Sequence, residues 1–137
     1  RVFGDGHWAD LVPGLELRPM VDSQREAPTI YARSAVSLSS SAASLPTAAN
    51  LRTWDVPGAG GLLLTDAQED VLAAFREDEE VLVYRDVAEA ADKARHYLGR
   101  PDERAAIARR AHEKVERAHR YPHRLQHLYQ TMRARFA

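Results

Sequence analysis

The sequence predicts an α/β domain in which helices flank a mostly parallel sheet. Three observations predict it. Short apolar runs alternate with stretches of helical periodicity. The run Leu62-Leu63-Leu64 is unbroken by polar residues, as in a strand covered on both faces. Glycine and proline punctuate the boundaries between segments. At 137 residues the chain is long enough for one domain, which at this size buries about two-thirds of its unfolded surface. Residues 1–137 are read as a single domain whose part 86–137 is mainly helical.

The elements follow in chain order. Arg1-Val2-Phe3 reads as a strand entering a turn at Gly4-Asp5-Gly6, and Leu15 to Arg18 as a second strand after the Pro13-Gly14 turn signal. Glu26 to Arg33 predicts a short helix and Ala35 to Ser39 a strand. Pro46 to Gly58 predicts an N-terminal turn and a helix, which Gly60 and Gly61 stop. Leu62 to Leu64 follows as a buried strand. Val71, Leu72 and Phe75 give the next helix one apolar face, and Val81 to Tyr84 is the last strand. Asp86 caps a helix whose inner face is Val87, Ala90, Ala91, Ala94, Tyr97 and Leu98, ending at Gly99. Pro101 starts another, with Asp102 and Glu103 at the positive end of its dipole and Ile107, Ala108, Ala111 and Val115 inward. Tyr121-Pro122 breaks the run. Leu125, Leu128, Tyr129, Met132 and Phe136 mark a final amphipathic helix, and Trp54 is expected in the core.

Composition narrows the function classes. A formal charge of -1 gives no broad attraction to nucleic acid or an anionic membrane, leaving only local basic patches. No run approaches the length of a membrane span, and none reads as a signal peptide. The absence of cysteine removes disulfides and thiolate metal sites and fits a cytoplasmic setting. Arg1-Val2-Phe3 resembles a strand interior rather than a natural start, so an upstream segment is expected. Abundant alanine, with arginine greatly preferred to lysine, points to a GC-rich bacterial source.

Ligands of open parallel sheets bind beyond the carboxyl ends of the strands. Three stretches fall at such ends: Gly4-Asp5-Gly6-His7, Ser39 to Asn50, and Thr65-Asp66-Ala67-Gln68. The second is rich in small residues and is expected to enter a helix through Pro46-Thr47-Ala48, where free amides suit a diphosphate. Asn50, Arg52 and Asp55 lie on or beside that helix, and a carboxylate such as Asp55 suits paired ribose hydroxyls. The simpler reading of Arg52 and Asp55, three residues apart, is a surface ion pair worth at most about 1 kcal/mol. His119, His123 and His127 recur every four residues, a metal-like spacing. Pro122 interrupts it, no acid completes the set and arginines crowd it, so no metal is expected. The run Glu77 to Glu80 is read as a solvated loop or helix end.

The stretch from Leu45 to Asp66, LPTAANLRTWDVPGAGGLLLTD, resembles the core of the CgeB-like (spore maturation protein) glycosyltransferases, within the group-1 enzymes of GT-B architecture. The resemblance extends back through Glu26 to Tyr31. It runs forward through Glu69-Asp70, Phe75, Glu80 to Arg85, Tyr97-Leu98, Pro101 to Arg104, and Tyr121 to Arg124. It implies the C-terminal, Rossmann-like, donor-binding lobe of a bacterial glycosyltransferase. The partners it implies are a nucleotide-sugar donor and an N-terminal acceptor lobe outside this chain. Asp55 then matches the acidic position that binds the donor ribose. Thr47 stands eight residues earlier, where many retaining relatives carry a second glutamate, which leaves the stereochemical outcome open. Asn50 and the amides from Thr47 onward would face diphosphate and sugar, with Arg52 beside them. Arg18 to Val21, with Met20, would lie by the base. The resemblance implies no cofactor and no metal, and a fragment that does not turn over alone.

Two other classes compete with this reading. A degenerate lobe serving protein contacts is the main rival, and Thr47 in place of an acid favours it. A phospho-acceptor receiver domain needs a lysine on a late strand, whereas Lys93 and Lys114 both fall in helical stretches.

Overall fold

The computed structural model describes residues 1–137 except 5, 7, 8, 11, 13, 42–46 and 137. The expected Gly4–His7 loop, the Pro13-Gly14 turn and the Leu45-Pro46 part of the helix entrance therefore fall wholly or partly outside the described residues. Among the described residues the elements follow in this order: β1 (Val2–Phe3), β2 (Leu17–Arg18), α1 (Ala27–Arg33), β3 (Ser37–Ser39), α2 (Arg52–Gly58), β4 (Leu63–Asp66), α3 (Glu69–Ala74), β5 (Leu82–Tyr84), α4 (Val87–Leu98), α5 (Pro101–Ala118) and α6 (Tyr121–Phe136). The parallel, helix-flanked architecture is as expected, divided between two small sheets. β1 pairs with β2, setting Val2 opposite Leu17. β3, β4 and β5 form the second sheet in that order, all parallel.

The second sheet carries the core. Because successive side chains of a strand point to opposite faces, Leu63, Val81 and Val83 fall in one cluster, packed with Val56, Val71, Phe75, Ala111 and Val115. Leu62, Leu64 and Leu82 fall in the other, with Ile107 and Ala108. The α5 stripe expected from the sequence supplies both clusters, which is why the strands read as continuous apolar runs.

The stop after α2 has a specific geometry. The Gly61 amide donates to the Val56 carbonyl at 2.9 Å, and the Gly60 amide to that of Pro57 at 2.9 Å. Gly60 takes the left-handed φ of 79°. This is the Schellman closure, in which glycine removes the steric cost of that φ. Gly61 is needed for a different reason: a Cβ there would lie 2.7 Å from the Tyr31 carbonyl oxygen of α1. Gly61→Ala is therefore expected to push α1 away and cost about 1–3 kcal/mol, as overpacking does. Urea unfolding measures it, and a midpoint equal to wild type would contradict the contact.

Four expectations are corrected. The helix after Ser39 begins at Arg52, not near Pro46: Thr47 lies in a bend, and Ala48 to Asn50 belong to no regular element. Glu80, expected in solvent, is 6% exposed, because its carboxylate meets Lys114 Nζ at 2.7 Å and the Arg76 amide at 2.8 Å. Val87 and Leu98 are exposed, since only the Ala94 and Tyr97 side of α4 reaches the core. Trp54 is half-buried at the edge of the first cluster rather than inside it. Asp86 does cap α4, accepting from the Glu89 amide at 2.8 Å.

Candidate functional site

The carboxyl ends of β3, β4 and β5 converge on one polar cluster. Parallel alignment sets Ser39 beside Thr65, and Asp66 beside Tyr84. The Asp66 carboxylate is its centre. Oδ1 accepts from the Ser41 amide at 3.0 Å, the Ser41 hydroxyl at 3.2 Å and the Thr65 hydroxyl at 3.3 Å. Oδ2 accepts from the Gln68 amide nitrogen at 2.6 Å. An ionised carboxylate only accepts, so the Gln68 NH₂ must face it, which turns Gln68 Oε1 the other way. That oxygen is buried and has no partner among the described residues. An unmade hydrogen bond of this kind costs about 1–3 kcal/mol.

Two more bonds converge on Ser39 at this edge, one from the loop and one from β5. Asn50 Nδ2 donates to the Ser39 hydroxyl at 3.0 Å, and the Tyr84 hydroxyl donates to the Ser39 carbonyl at 3.0 Å. A carboxylate, serine hydroxyls and an asparagine amide, with the unpartnered carboxamide oxygen of Gln68 buried beside them, are groups suited to a polyhydroxylated ligand. Among the described residues no arginine or lysine pairs with Asp66, so the cluster itself does not favour phosphate.

The residues singled out from sequence are dispersed. Asn50 belongs to the cluster. Thr47 is exposed, and its carbonyl accepts from the Asp70 amide at 3.2 Å, fastening this segment to the start of α3. Arg52 and Asp55 are exposed on α2. The surface ion pair expected between them is not formed at contact distance among the described residues. Partial burial raises the Asp55 carboxyl above its ordinary pKa, and the Arg52 charge works against that. Arg18 lies in the other sheet, where it donates to Glu16 at 2.6 Å. Met20 is exposed. Neither shares a described hydrogen bond with the cluster.

Sequence reasoning placed Ser39, Asp66 and Gln68 in strand-end stretches without singling them out, and it missed Tyr84 altogether. The strand-end position of Thr65-Asp66-Ala67-Gln68 was the available signal. The Tyr84–Ser39 contact spans strands and leaves no local pattern.

A groove of about 830 Å³ lies where α2 and α3 face the α5–α6 junction. His119 stacks on Trp54 with ring centroids 4.8 Å apart, and the Arg124 guanidinium sits 4.2 Å from the Trp54 ring centroid. Burial first, then the positive charges of Arg124 and Lys114, lower the His119 pKa. His123 and His127 line the same groove. Among the described residues no three His, Cys, Asp or Glu side chains converge to hold a metal ion.

Among the described residues, no helix is long and apolar enough to cross a membrane. Residues 1–130 match the model of a family described as glycosyl transferase-like. No curated protein and no solved structure matches the chain.

Proposed function

The chain belongs to the glycosyl transferase-like family, and from that premise we propose that it is the donor-binding lobe of a two-lobed sugar transferase. The parent enzyme would move a sugar from a nucleoside diphosphate to an acceptor held by another lobe. The polar cluster around Asp66 carries this reading. A carboxylate held by four donor groups, beside a carboxamide oxygen without a partner among the described residues, gathers polar groups at a parallel-sheet edge where ligands of such sheets bind, and Oδ2, which accepts one described bond, keeps a lone pair for a sugar hydroxyl. Asp55 would take the ribose hydroxyls. Asn50 would turn from Ser39 toward the sugar, and Arg52 would supply charge for the diphosphate. Thr47 would act through its position in the loop, with Arg18 and Met20 nearest the base. The resemblance of residues 45–66 supports a CgeB-like, group-1 bacterial enzyme, working in the cytoplasm without a cofactor or metal.

Calorimetric titration of the chain with UDP, GDP and dTDP tests the proposal. One nucleotide is expected to saturate, and Asp55→Ala to weaken it at least about tenfold, or ~1.4 kcal/mol. Asp66→Asn should instead weaken a nucleotide sugar more than the bare nucleotide, since it alters the hydroxyl-binding cluster. Binding unchanged in both variants would remove these residues from the site.

Thr47 favours a second reading, a lobe that keeps the fold without catalysis. Its side chain cannot act as the carboxylate that many retaining relatives have there. Failure of all three nucleotides to bind, repeated with the full-length protein, would support that alternative.

A further inference from the structure

Side chains along a strand alternate between the two faces of its sheet. On β5, Leu82 packs in the cluster of Leu62 and Leu64, Val83 in the other, and Tyr84 returns to the first. On β4, Asp66 follows Leu64 by two residues and so falls on that same face. The parallel register then sets Asp66 and Tyr84 side by side at the carboxyl ends of their strands. β4 separates β5 from β3, a span of two strand spacings, or about 9.5 Å. Tyr84 crosses it: its hydroxyl donates to the Ser39 carbonyl of β3 at 3.0 Å.

Ser39 is the point through which this bond acts. It is 3% exposed and is the last residue of β3. Its hydroxyl accepts from Asn50 Nδ2 at 3.0 Å. Two residues on, beyond the strand, Ser41 donates its amide and its hydroxyl to Asp66 Oδ1 at 3.0 and 3.2 Å. Ser39 thus anchors two arms, the loop residue Asn50 and the Ser41 clamp on Asp66. The clamp and the Thr65 hydroxyl occupy Oδ1. Oδ2 accepts one described bond, from Gln68, and is the oxygen left for a ligand. Without the clamp the carboxylate turns more freely about its Cβ–Cγ bond, and ordering it on binding costs entropy.

We propose that Tyr84 is a positioning residue of the sugar site: its hydroxyl holds Ser39 so that Ser41 keeps the Asp66 carboxylate turned with Oδ2 toward a sugar hydroxyl. The use of this brace for a sugar rests on the donor-lobe reading, whereas the brace itself is measurable without a ligand. Both measurements use Tyr84→Phe, which removes the hydroxyl and keeps the ring. The first is exchange of the Ser41 amide hydrogen, followed by amide-resolved NMR. It is expected to quicken about fivefold in the variant, the weight of one hydrogen bond. The Glu89 amide, capped by Asp86, should keep its wild-type rate. The second is titration with UDP-glucose, GDP-mannose and dTDP-glucose, each against its bare nucleotide. Tyr84→Phe should weaken the nucleotide sugar that binds about fivefold and leave its nucleotide within about twofold. In an Asp66→Asn background the same substitution should add less than about twofold, because the tyrosine acts through that carboxylate. Tyr97→Phe is the control, since Tyr97 packs against the same apolar cluster from α4, and every readout should match wild type.

Unchanged Ser41 exchange would overturn the positioning role, whatever binds. Equal weakening of nucleotide sugar and nucleotide would reduce Tyr84 to a support of the fold. An undiminished effect in the Asp66→Asn background would place its action elsewhere. Faster Ser41 exchange, with no nucleotide sugar bound by the wild-type chain or the full-length protein, would support the brace and overturn the donor-lobe reading, so the two failures are separable.

Discussion

Leu82→Ala is expected to remove about 2–5 kcal/mol of folding stability, the range for emptying a leucine-sized space in a core that relaxes only partly. Leu82 is fully buried on β5, paired with Leu64 of the central strand β4 and packed in the same cluster as Ile107. A domain of this size has about 5–15 kcal/mol in total, so the variant approaches the unfolding threshold at moderate temperature. Urea denaturation followed by far-UV circular dichroism measures the loss from the midpoint at constant slope. Leu98→Ala supplies the contrast, because Leu98 is 58% exposed, and a surface substitution there should change stability by about 0.5 kcal/mol or less. Equal losses in the two variants would contradict the assignment of Leu82 to the core and Leu98 to the surface.

The second large effect concerns charge. Glu80→Ala is expected to cost about 3 kcal/mol, because removing one member of a buried pair leaves the other uncompensated. Lys114 keeps partial access to water at 24% side-chain exposure, which holds the cost to the lower end of that class. Glu80→Gln retains an acceptor for the Arg76 amide and should lose less.

The pair also sets a pH dependence. Burial acts to raise the Glu80 pKa, but bonding to Lys114 and to the Arg76 amide outweighs it, and the folded value lies below the ordinary 4.5. A carboxyl depressed on folding contributes stability that is full above its unfolded pKa and is lost as pH falls through the folded one. The wild type should therefore lose stability from about pH 4.5 downward more steeply than Glu80→Gln. Parallel acid limbs for the two proteins would show that the Lys114 contact does not survive in solution.

The corrections separate local from tertiary information. Helix existence was legible wherever a repeating apolar face coincided with a cap: Asp86 caps α4, Pro101 opens α5, and Gly60-Gly61 closes α2. Glu80 was not legible, because the residue that rescues a buried carboxylate from its desolvation cost lies on α5, far away in sequence. The late start of α2 was missed for a related reason. Thr47 is held by the Asp70 amide of α3 and Asn50 by Ser39 of β3, and these partners favour an irregular segment where local pattern suggested a helix.

For the candidate site, the sequence by itself determined the strand-end location, the Asn50 and Asp66 positions and the family likeness, because each depends on residues close together in the chain. Tertiary structure alone decided that Asp66 is the centre of the polar cluster, that Tyr84 reaches β3, and that the α6 stripe is exposed in this chain. Hydrogen-bond partners and burial depend on which strands and helices come together in space, and helical periodicity marks an apolar face without saying what covers it.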